Sequence, residues 1–524
     1  MQLLTAAQMR EWDRRTIEEA GIPGAELMDR AGRGVADVVA YMSDLAGFHH
    51  PSALLIAGRG NNGGDVFAAA AHLKEMGIEV FIWIAGSEAQ ISGDALKHLQ
   101  HLKSEGVQVE EFTARDEWES NAEYPAPVDF IVDGLLGTGS SGAARGPAAW
   151  AIQYINRAAN DAFVIAIDIP SGINADTGVA EGDCVYADVT VTIGAPKVGL
   201  VAPAALEFVG CLEVIDIGLA GEPPPPPAGR APGCELVYST ELRKMLPRRA
   251  RSSHKGTYGH VLLLGGAQGY AGAMALAGRA AVRSGVGLTT ALVPRGIQST
   301  VAGACLETMV HAGEETSIGS LAFRAVEEWF PRLAEFDALV IGPGLTRHPD
   351  SQRIVEWLLD NAPIPMVLDA DALNVLAGEL KRAARSKASV ILTPHPGEMG
   401  RLLGRDAAAV QTDRMGAARE CADASGATVV LKGAGTIITA RRRPAFISMT
   451  GNPGMATGGS GDVLAGLLGG LLAQGVQPFD AARAGVFLHG RAGDMAAWRS
   501  SQSGMTASDL LKEIPFAFRE LTLR

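Results

Sequence analysis

The chain of 524 residues is too long for one ordinary hydrophobic core, so we expect two to four domains. Its composition, 47% hydrophobic and 20% charged, is that of a globular protein and excludes a disordered or fibrous chain. The net charge of −13 argues against broad binding of nucleic acid or anionic membranes and favours small-molecule chemistry.

The N-terminal segment 1–21 is typical of an amphipathic helix capped by Thr5, without the basic start and cleavage site of a signal peptide. No apolar stretch is long enough, and free enough of glycine and charge, to predict a membrane span. The five cysteines form no CxxC pair and no metal-ligand spacing, which indicates buried thiols in a reducing compartment. We therefore expect a cytoplasmic protein.

The first half of the chain alternates short apolar runs with longer helix-like segments. The runs are ALLIAG, EVFIWIAG, DFIVDGLLG, FVIAIDIP, VTVTIGAP and LEVIDIGL. Continuous apolar strands between helices indicate a parallel sheet covered by helices on both faces. The first half is therefore predicted to be a Rossmann-like α/β domain with three αβα layers.

Chemistry-bearing residues follow three of these runs. The segment 58–65, GRGNNGGD, has the GxGxxG spacing of a dinucleotide fingerprint, and Glu79 stands near the position of a ribose-binding acid. Asp133 and the segment 168–171 end two other runs. Because strand carboxyl ends face the ligand crevice in such sheets, we expect the three loops to converge. The alternative is that each residue only braces or caps a turn.

A proline-rich stretch stands near the middle of the chain. The segment 221–233, GEPPPPPAGRAPG, favours an extended polyproline II spacer, although a surface loop inside one domain is the alternative. We assign residues 1–219 to the first domain, 220–235 to a linker and 236–524 to the second domain.

The second half repeats the α/β alternation. Its runs are GHVLLLGG, LTTALVP, ALVIGPG, PMVLDAD, SVILTPHPGE and TVVLKGAGTII, followed by a helical run from Val463. A second three-layer αβα domain is therefore predicted. Just before the helical run comes the loop GNPGMATGGSGD, which ends at Asp462. Clustered glycines suggest close backbone approach to a ligand, and a helix N-terminus favours phosphate. Alternatively, Ser460 or Asp462 merely caps the helix.

The first-half motifs AELMDRAG, NNGGD, DGLLGTG, DIPSG and APKVGL resemble, in that order, the epimerase domain of the NAD(P)H-hydrate repair family over Met1 to Leu219. The resemblance implies that the hydrated dinucleotide contacts Asn61, Asn62, Gly63, Gly64, Asp65, Gly137, Thr138, Gly139, Ser140, Ser141, Gly142, Ala143 and Asp168. It also implies K⁺ bound by Asn62, Asp133 and Ser171, whose oxygens suit a hard cation.

Within the same resemblance, Asp168 is the candidate for proton transfer. Lys197 is a weaker catalytic candidate, with an exposed salt-bridging lysine as the alternative. Val66 and Ala71 depart from the glycine and arginine that the family usually has there.

The second-half motifs SSHKGTYGHVLLLGG, GYAGA, GPGL, DADALN, LTPHPGE, LKGAGTII and the glycine loop closely resemble the dehydratase domain of the same family, a member of the ribokinase-like superfamily, over Leu236 to Arg524. The resemblance implies that Gly458, Gly459 and Gly461 cradle phosphate while Asp462 takes the proton of the substrate hydroxyl. No GxxxxGK[ST] loop occurs, so a P-loop is not supported.

The resemblance also assigns binding residues. The hydrated dinucleotide is expected to contact Ala273, Gly344, His395 and Asp462. ADP is expected to contact Lys432, Gly433, Ala434, Gly435, Thr436, Asn452, Pro453, Gly454, Met455, Ala456, Thr457, Gly458, Gly459, Ser460 and Gly461. Mg²⁺ is expected in this domain, and Asp369 and Asp371 either associate with it or cap a helix. Thr346 departs from the family's GPGLG pattern.

The implied reaction is the repair of hydrated NADH and NADPH. The first domain interconverts the R and S hydrates, and the second dehydrates the S hydrate by phosphorylating its hydroxyl. ADP is the expected donor, giving AMP and phosphate, with ATP as the alternative. We expect small-molecule substrates, a homo-oligomer, and neither nucleic-acid nor membrane partners. The alternatives are a vitamin-precursor kinase with a dinucleotide-binding module, an ordinary oxidoreductase, or an N-terminal half that only binds or assembles.

Overall fold

The computed structural model describes residues 1–120, 127–140, 142–225 and 233–523. The chain forms two compact units, Met1–Gly233 and Cys234–Arg524. None of the helices in the described residues has the length and apolarity needed to span a bilayer.

The first unit is built on a parallel sheet. Its strands are β1 (Ser52–Ala57), β2 (Glu79–Ala85), β3 (Val109–Phe112), β4 (Phe130–Gly134), β5 (Phe163–Ile167), β6 (Val189–Ile193) and β7 (Cys211–Ile215). They form a seven-stranded sheet in the order β3-β2-β1-β4-β5-β6-β7. Every pairing among them is parallel, for example Leu55 opposite Ile82. The strand order reverses between β1 and β4, where ligands of doubly wound sheets bind.

The helices of the first unit lie on both faces of this sheet. They are α1 (Ala6–Arg14), α2 (Gly24–Ala46), α3 (Asn61–Glu75), α4 (Gly93–Ser104), α5 (Arg115–Ser120), α6 (Pro147–Ala158) and α7 (Leu206–Val209). One core joins strand residues such as Ile56 and Trp83 to Trp118 of α5 and Ile152 of α6. Helix α3 contacts β1, β2, β4 and β5, and α2 packs on α3, β6 and β7. This arrangement confirms the predicted αβα class.

The second unit has a larger, mixed sheet. Its strands are β8 (Cys234–Leu236), β9 (His260–Leu264), β10 (Leu288–Pro294), β11 (Met309–Gly313), β12 (Ala338–Ile341), β13 (Met366–Leu368), β14 (Val390–Leu392), β15 (Thr428–Leu431), β16 (Thr436–Thr439) and β17 (Ala445–Ser448). Their order is β11-β10-β9-β12-β13-β14-β15-β16-β17-β8. The pairings from β11 through β15 are parallel, whereas β16 pairs antiparallel with both β15 and β17.

The helices of the second unit again cover two faces. They are α8 (Ser239–Leu242), α9 (Ala271–Arg283), α10 (Gln298–Ala304), α11 (Phe323–Trp329), α12 (Pro349–Asn361), α13 (Asp371–Asn374), α14 (Lys381–Ala384), α15 (Pro396–Leu403), α16 (Ala407–Thr412), α17 (Arg414–Ser425), α18 (Ser460–Ala473), α19 (Pro478–Arg499) and α20 (Ala507–Leu523). Residues of α11 to α17 share one large core with the sheet. Helices α9, α18 and α19 also contact the strands, and α18 packs closely on α9.

All of the apolar runs quoted above contain strands, with two differences in detail. The run TVVLKGAGTII holds two strands, because β15 and β16 form a hairpin whose turn is KGAG. The NNGGD segment is not a loop before a helix but the first turn of α3, which begins at Asn61.

Four strands were not predicted: β3, β8, β11 and β17. β3 and β11 are the edge strands at their ends of the two sheets, and both carry exposed residues. The apolar pattern that predicts buried strands is therefore weak there.

The division between the units falls inside the predicted linker, whose residues 226–232 lie outside the described residues. The start of this segment packs on the first unit, because Gln8 donates to the Pro225 carbonyl oxygen (2.9 Å) and Trp12 to that of Ala220 (2.9 Å). At its other end, Cys234 and Glu235 are not linker but part of β8, paired with β17.

Candidate active sites

The first candidate site lies at the carboxyl ends of the neighbouring strands β1, β4, β5 and β6. Asn62 follows β1 in α3, Asp133 stands at the end of β4, and Ser171 follows β5. Asn62 Nδ2 donates to the carbonyl oxygens of Leu136 (3.1 Å) and Ile167 (3.2 Å). The Leu136 amide donates to Ser171 Oγ (2.9 Å). The structure therefore brings together the three residues expected to bind K⁺.

Asp133 is fully buried and is held by neutral donors. Its Oδ1 accepts from Ser171 Oγ (2.7 Å) and from the Leu135 amide (3.1 Å), and its Oδ2 accepts from the Ser171 amide (2.8 Å). Burial raises the pKa of this carboxyl to about 6, against the lowering effect of those hydrogen bonds. Among the described residues no cationic side chain forms an ion pair with Asp133. A buried carboxylate beside amide and hydroxyl oxygens fits a hard monovalent cation.

Asp168 is paired with Lys197, and this pair corrects the alternative of an exposed lysine. Lys197 is only 1% exposed, and its Nζ donates to Asp168 Oδ1, to Thr192 Oγ1 (3.1 Å) and to the Ile193 carbonyl oxygen (2.9 Å). Asp168 Oδ1 also accepts from the Ile193 amide (3.1 Å). Its Oδ2 makes no hydrogen bond to the described residues.

The backbone of Asp168 is also unusual, because its φ is 67° although it is not glycine. Strained backbone of this kind is concentrated at functional sites, where surrounding contacts enforce it. Its amide donates to the Val191 carbonyl oxygen (2.8 Å) of the neighbouring strand β6. The conformation therefore fixes the carboxylate at the end of β5, beside Lys197.

Two further carboxyl groups, those of Asp65 and Asp13, interact electrostatically with Lys197 and Asp168. Burial, reinforced by Asp168, raises the pKa of Asp65 well above its usual range. Burial also raises the pKa of Asp13, in α1, to about 6, with Lys197 opposing and Asp168 adding to the shift. Asp13 was missed from the sequence, because nothing in the α1 pattern indicates that this residue faces the ends of β5 and β6.

The glycines of NNGGD serve packing inside the protein. A Cβ at Gly63 would overlap the Gly58 carbonyl oxygen, and a Cβ at Gly64 would lie 2.5 Å from Met28 Sδ. Val66, a departure from the family pattern, is fully buried, and a Cβ at Gly134 would overlap its side chain. The valine is therefore accommodated against β4.

A cleft of ≈ 300 Å³, including its open mouth, adjoins this site. It is lined by Leu136, Gly137, Ser140, Gly142, Ile169, Gly172, Ile173, Asn174, Val179 and Glu181. Three of the predicted contacts, Gly137, Ser140 and Gly142, thus line a cleft with the residues that follow Asp168. Thr138 and Gly139 lie in the same loop, and Ala143 just after it is exposed. The predicted contact Ser141 lies outside the described residues.

The second candidate site lies at the carboxyl ends of the neighbouring strands β9, β12, β13, β14 and β15. Asp369 follows β13, is 2% exposed, and accepts on Oδ1 from Thr393 Oγ1 (2.7 Å) and Lys432 Nζ (2.8 Å). Lys432 follows β15, and its Nζ lies 3.8 Å from Glu398 Oε2. Its pKa is raised: burial alone would lower it, but Asp369 and Glu398 outweigh burial. Lys432 is therefore a fixed cation.

Asp462 completes this cluster from the first turn of α18. Burial, with Asp369 adding to it and Lys432 opposing, raises the pKa of Asp462 to about 7. A carboxyl that titrates near neutral pH is suited to act as a general base. The helix cap is Gly459, and no side chain makes a capping hydrogen bond there. The reading of Ser460 or Asp462 as the helix cap is therefore wrong.

The glycines before Asp462 differ in what they allow. Gly459 has a φ of 96°, a conformation that glycine adopts without strain. A Cβ at Gly461 would lie 3.4 Å from Lys432 Nζ and 3.8 Å from Asp369 Oδ2, so the start of α18 approaches the ion pair closely. A Cβ at Gly458 would meet open space. Glycines later in α18 have another purpose, since a Cβ at Gly466 would overlap the Ala277 carbonyl oxygen of α9.

The remaining predicted substrate contacts surround this cluster. His395 is the N-cap of α15: its Nδ1 accepts from the Gly397 amide (3.0 Å), and its own amide donates to Glu398 Oε2 (2.8 Å). Burial lowers the pKa of His395, and the positive charges of Lys432 and Arg401 lower it further, so the imidazole is neutral. Its side chain is about half exposed.

Gly344 follows β12 with a φ of 63°, and a Cβ there would lie 2.8 Å from Tyr270 Cβ. Ala273 lies in the first turn of α9, just after Tyr270, the residue that packs against Gly344. Thr346 also has a positive φ, 69°, which explains why the family has glycine at this position. Its amide donates to Asp371 Oδ2 (3.0 Å), so Asp371 braces this loop.

The predicted nucleotide residues occupy two segments. Lys432, Gly433, Ala434 and Gly435 form the β15–β16 turn, and Thr436 begins β16. Asn452, Pro453, Gly454, Met455, Ala456 and Thr457 precede the glycines, and Asn452 Oδ1 accepts from the Gly454 amide (3.0 Å). No group of three or more His, Cys, Asp or Glu within the described ranges is arranged to hold a metal ion.

Sequence reasoning missed two residues of α19 at this site. His489 Nε2 donates to the Ser460 carbonyl oxygen (2.9 Å), and both Asp494 oxygens accept from the Gly451 amide (3.1 and 3.0 Å). Gly490 and Gly493, inside helix α19, could have indicated this contact. Glycine destabilises a helix interior, so its presence there suggests close packing against another segment.

Comparison with known proteins shows the family to which the chain belongs. A family model described as NAD(P)H-hydrate dehydratase matches residues 261–516, and one described as YjeF-related protein N-terminus matches residues 24–199. The bifunctional NAD(P)H-hydrate repair enzyme of Moorella thermoacetica is 41% identical over 99% of this chain and 97% of its own length. The corresponding Escherichia coli enzyme is 36% identical over 97% of this chain and 92% of its own length. The chain belongs to the family of bifunctional NAD(P)H-hydrate repair enzymes.

A solved structure of the ADP/ATP-dependent NAD(P)H-hydrate dehydratase from Bacillus subtilis, co-crystallised with ATP and Mg²⁺, is also similar. It is 30% identical, and the match covers 56% of this chain and 100% of that chain with a TM-score of 0.49.

Proposed function

We propose that the first unit interconverts the R and S hydrates of NADH and NADPH and that the second dehydrates the S hydrate with a nucleotide donor. The observation that carries the second assignment is the position of Asp462 in the first turn of α18, beside the Lys432–Asp369 pair; burial, which raises the pKa of Asp462 to about 7, suits it to act as a base. A base, a cation and a helix N-terminus without a side-chain cap among the described residues thus converge at one place. Phosphoryl transfer needs such positioning and electrostatic stabilisation more than it needs covalent chemistry.

In the second unit, Asp462 takes the proton of the hydrate hydroxyl as that oxygen bonds to the terminal phosphorus of the donor. The bond between this phosphorus and the oxygen of the remaining nucleotide breaks, and AMP is the leaving group when ADP is the donor. The ring-nitrogen lone pair then expels phosphate from the adjacent carbon, and loss of a proton from the next carbon restores NAD(P)H. The residues 432–436 and 452–461 bind the nucleotide, and Ala273, Gly344 and His395 bind the hydrate.

In the first unit, Asp168 moves the proton through its free Oδ2. The hydrate is a carbinolamine, since its hydroxyl is on the carbon next to the ring nitrogen. When Asp168 removes the hydroxyl proton, the carbon–nitrogen bond opens to an aldehyde, and closure on the other face returns the proton to oxygen as the other epimer. Lys197 does not itself donate to substrate, because its three N–H groups already meet Asp168, Thr192 and Ile193.

Two ions belong to this proposal. K⁺ would be held by Asn62, Asp133 and Ser171, where it would neutralise a buried carboxylate beside the dinucleotide loop. Mg²⁺ would be held by the nucleotide phosphates near Asp462 and would neutralise charge on the transferred group. We also propose a cytoplasmic enzyme without nucleic-acid or membrane partners: the five free thiols support the compartment, and the net charge of −13 supports the lack of anionic partners. The homo-oligomer expected from the family resemblance stays a prediction.

The test uses the equilibrated hydrate epimers of NADH with Mg²⁺, K⁺ and either ADP or ATP. Near-ultraviolet absorbance reports reduced nicotinamide, and chromatography of the nucleotide products identifies the donor. We expect full recovery with one mole of AMP per mole of NADH when ADP is the donor. Omitting K⁺ should slow only the conversion of the R hydrate. The NADPH hydrates, run in parallel, give the preference between the two dinucleotides.

Other outcomes would support the alternatives. A phosphorylated vitamin precursor formed without any recovery of NADH would indicate a small-molecule kinase. Oxidation or reduction of the unhydrated cofactor, without any nucleotide phosphate donor, would indicate an oxidoreductase. Dehydration of the S hydrate alone would reduce the first unit to a binding or assembly module.

A further inference from the structure

Helix α19 contacts both ends of the glycine-rich loop through four residues spaced along one face. We name His489, Gly490, Gly493 and Asp494 the α19 clamp. His489 is 9% exposed and Asp494 1% exposed, so both side chains are buried against the loop. The hydrogen bonds that join His489 and Asp494 to this site reach the loop at Gly451, Asn452 and Ser460. We therefore consider a role that acts through the loop.

His489 holds the C-terminal end of the loop. Its Nε2–H donates to the Ser460 carbonyl oxygen (2.9 Å), which fixes the ring tautomer because a carbonyl can only accept. Burial lowers the pKa of His489 to about 4, so the donor is neutral across the working pH range. The Ser460 carbonyl and the Gly461 N–H belong to one planar peptide, so fixing the oxygen also aims this N–H.

Asp494 holds the N-terminal end of the loop. Its oxygens accept from the Gly451 amide (3.1 and 3.0 Å) and Oδ1 also accepts from Asn452 Nδ2 (3.2 Å). Asn452 is thereby positioned to accept from the Gly454 amide at the start of the short turn Pro453–Met455. One buried carboxylate thus organises the segment expected to contact the adenine nucleotide.

The two glycines let α19 approach the loop closely. A Cβ at Gly490 would overlap Thr450, and a Cβ at Gly493 would overlap Met455. Glycine in a helix interior is otherwise unfavourable, so its use at both positions supports a contact that the fold preserves. The clamp is thus four residues of one face, three of which reach the loop segment 450–455 and one of which reaches Ser460.

We propose that His489 and Asp494 are positioning residues of the dehydration reaction with separable effects. His489 sets the rate of phosphoryl transfer by aiming the Gly461 N–H, and Asp494 sets nucleotide affinity by ordering residues 451–455. The inference rests on the proposed function of the second unit. It adds to that function a division of labour between the two ends of one loop.

The experiment measures kcat, nucleotide KM and the Kd of ADP with Mg²⁺ on the full chain. His489→Phe keeps the ring volume and removes the donor, and we expect kcat to fall roughly tenfold, less than for loss of a direct transition-state donor. His489→Gln can still donate and should regain most of that rate. Asp494→Asn should raise the nucleotide KM and Kd roughly tenfold with kcat little changed, as expected for loss of uniform binding.

The matched control is His260→Phe, which removes a partly buried histidine of this unit whose Nε2 forms a hydrogen bond with Thr290 Oγ1 (2.8 Å), far along the chain from the loop. It should leave kcat and KM unchanged. Thermal unfolding measures whether the second unit of each variant is folded, and epimerisation by the first unit normalises the amount of protein in every sample. If His489→Phe does not fold, His489→Asn, whose shorter amide cannot reach Ser460, carries the same expectation.

Wild-type kcat in the His489 variant, or equal effects of both variants on kcat and KM, would overturn the proposal. Failure of the proposed function is distinguishable, because the wild-type chain would then show no nucleotide-dependent recovery of NADH. In that case the Kd of ADP for Asp494→Asn still tests the Asp494 half of the inference.

Discussion

Among the described residues, Asp369 accepts its side-chain hydrogen bonds on Oδ1, from Lys432 Nζ (2.8 Å) and Thr393, while its Oδ2 faces the start of α18 near Gly461. Asp168 is held in the same manner, with Lys197 on Oδ1 and Oδ2 left without a hydrogen bond to the described residues. Each unit thus has a lysine, 1% exposed at Lys197 and 20% exposed at Lys432, that fixes one oxygen of a buried or partly buried carboxylate and leaves the other toward the site. The lysines are positioning residues, and the first predictions concern them.

Lys432→Met should destabilise the second unit by about 3 kcal/mol, since loss of one partner of a buried pair leaves an uncompensated charge. Denaturant unfolding measures this loss. Asp369→Asn added to Lys432→Met should recover at least half of the stability but none of the dehydration. As the matched control, Lys512→Met removes an exposed pair with Asp509 (2.9 Å) and should cost at most about 0.5 kcal/mol. Equal costs for the two lysines would contradict the account.

Lys197→Met should abolish epimerisation while leaving dehydration of the S hydrate at the wild-type rate. The reason is that Asp168 loses the donor that holds Oδ1, and the lysine side chain contributes nothing to the second unit. Lys197→Arg should not rescue, because a planar guanidinium cannot reproduce the three directions of the ammonium donors. Interconversion of the epimers, followed by chromatography, is the measurement. Full rescue by arginine would show that charge alone is required.

The rate of dehydration should rise with pH around the pKa of Asp462, about 7. Because burial raises this pKa, the carboxyl is protonated below pH 7 and cannot accept the hydroxyl proton; above pH 7 it is ionised and active. We therefore expect kcat to increase between pH 6 and 8, flattening at the upper end. The free energy of unfolding should instead fall as the pH rises from 3.8 to about 7, because the unfolded state loses this proton in that interval while the folded state keeps it. A rate of dehydration that falls between pH 6 and 8 would exclude Asp462 as the base.

The fold class, the existence of the buried strands and the loops that bear the candidate bases could be predicted from the sequence. Continuous apolar runs specify buried parallel strands, and the positions of Asp133, Asp168 and Asp462 at strand or helix ends follow from that pattern. The edge strands β3 and β11 were missed because their residues alternate weakly and stay partly exposed.

The lysine partners of Asp168 and Asp369 could not be predicted from the sequence. Lys197 lies 29 residues from Asp168 in the chain, and Lys432 lies 63 residues from Asp369. Only the order of strands in each sheet brings such pairs together, and spacing along the chain does not contain it. The same holds for His489 and Asp494, whose helix pattern records burial but not which loop the helix packs against.

Thr346→Gly should stabilise the second unit by up to about 1 kcal/mol, because a β-branched residue at positive φ is strained and glycine is not, although glycine gains entropy when unfolded. The observed φ of 69° is the basis for this expectation. Thr412→Gly, at the end of helix α16 (Ala407–Thr412), is the control and should destabilise by about 1 kcal/mol. Thermal unfolding compares the two, and destabilisation by both would mean that Thr346 is not strained.

The most direct test of two separate sites on this chain starts from each purified hydrate epimer. Recovery of NADH absorbance with ADP, Mg²⁺ and K⁺ is followed for the wild type, Asp168→Asn and Asp462→Asn. We predict that the wild type recovers both epimers, that Asp168→Asn recovers the S hydrate at the wild-type rate but not the R hydrate, and that Asp462→Asn recovers neither. Recovery of the S hydrate by Asp462→Asn at the wild-type rate would contradict the account.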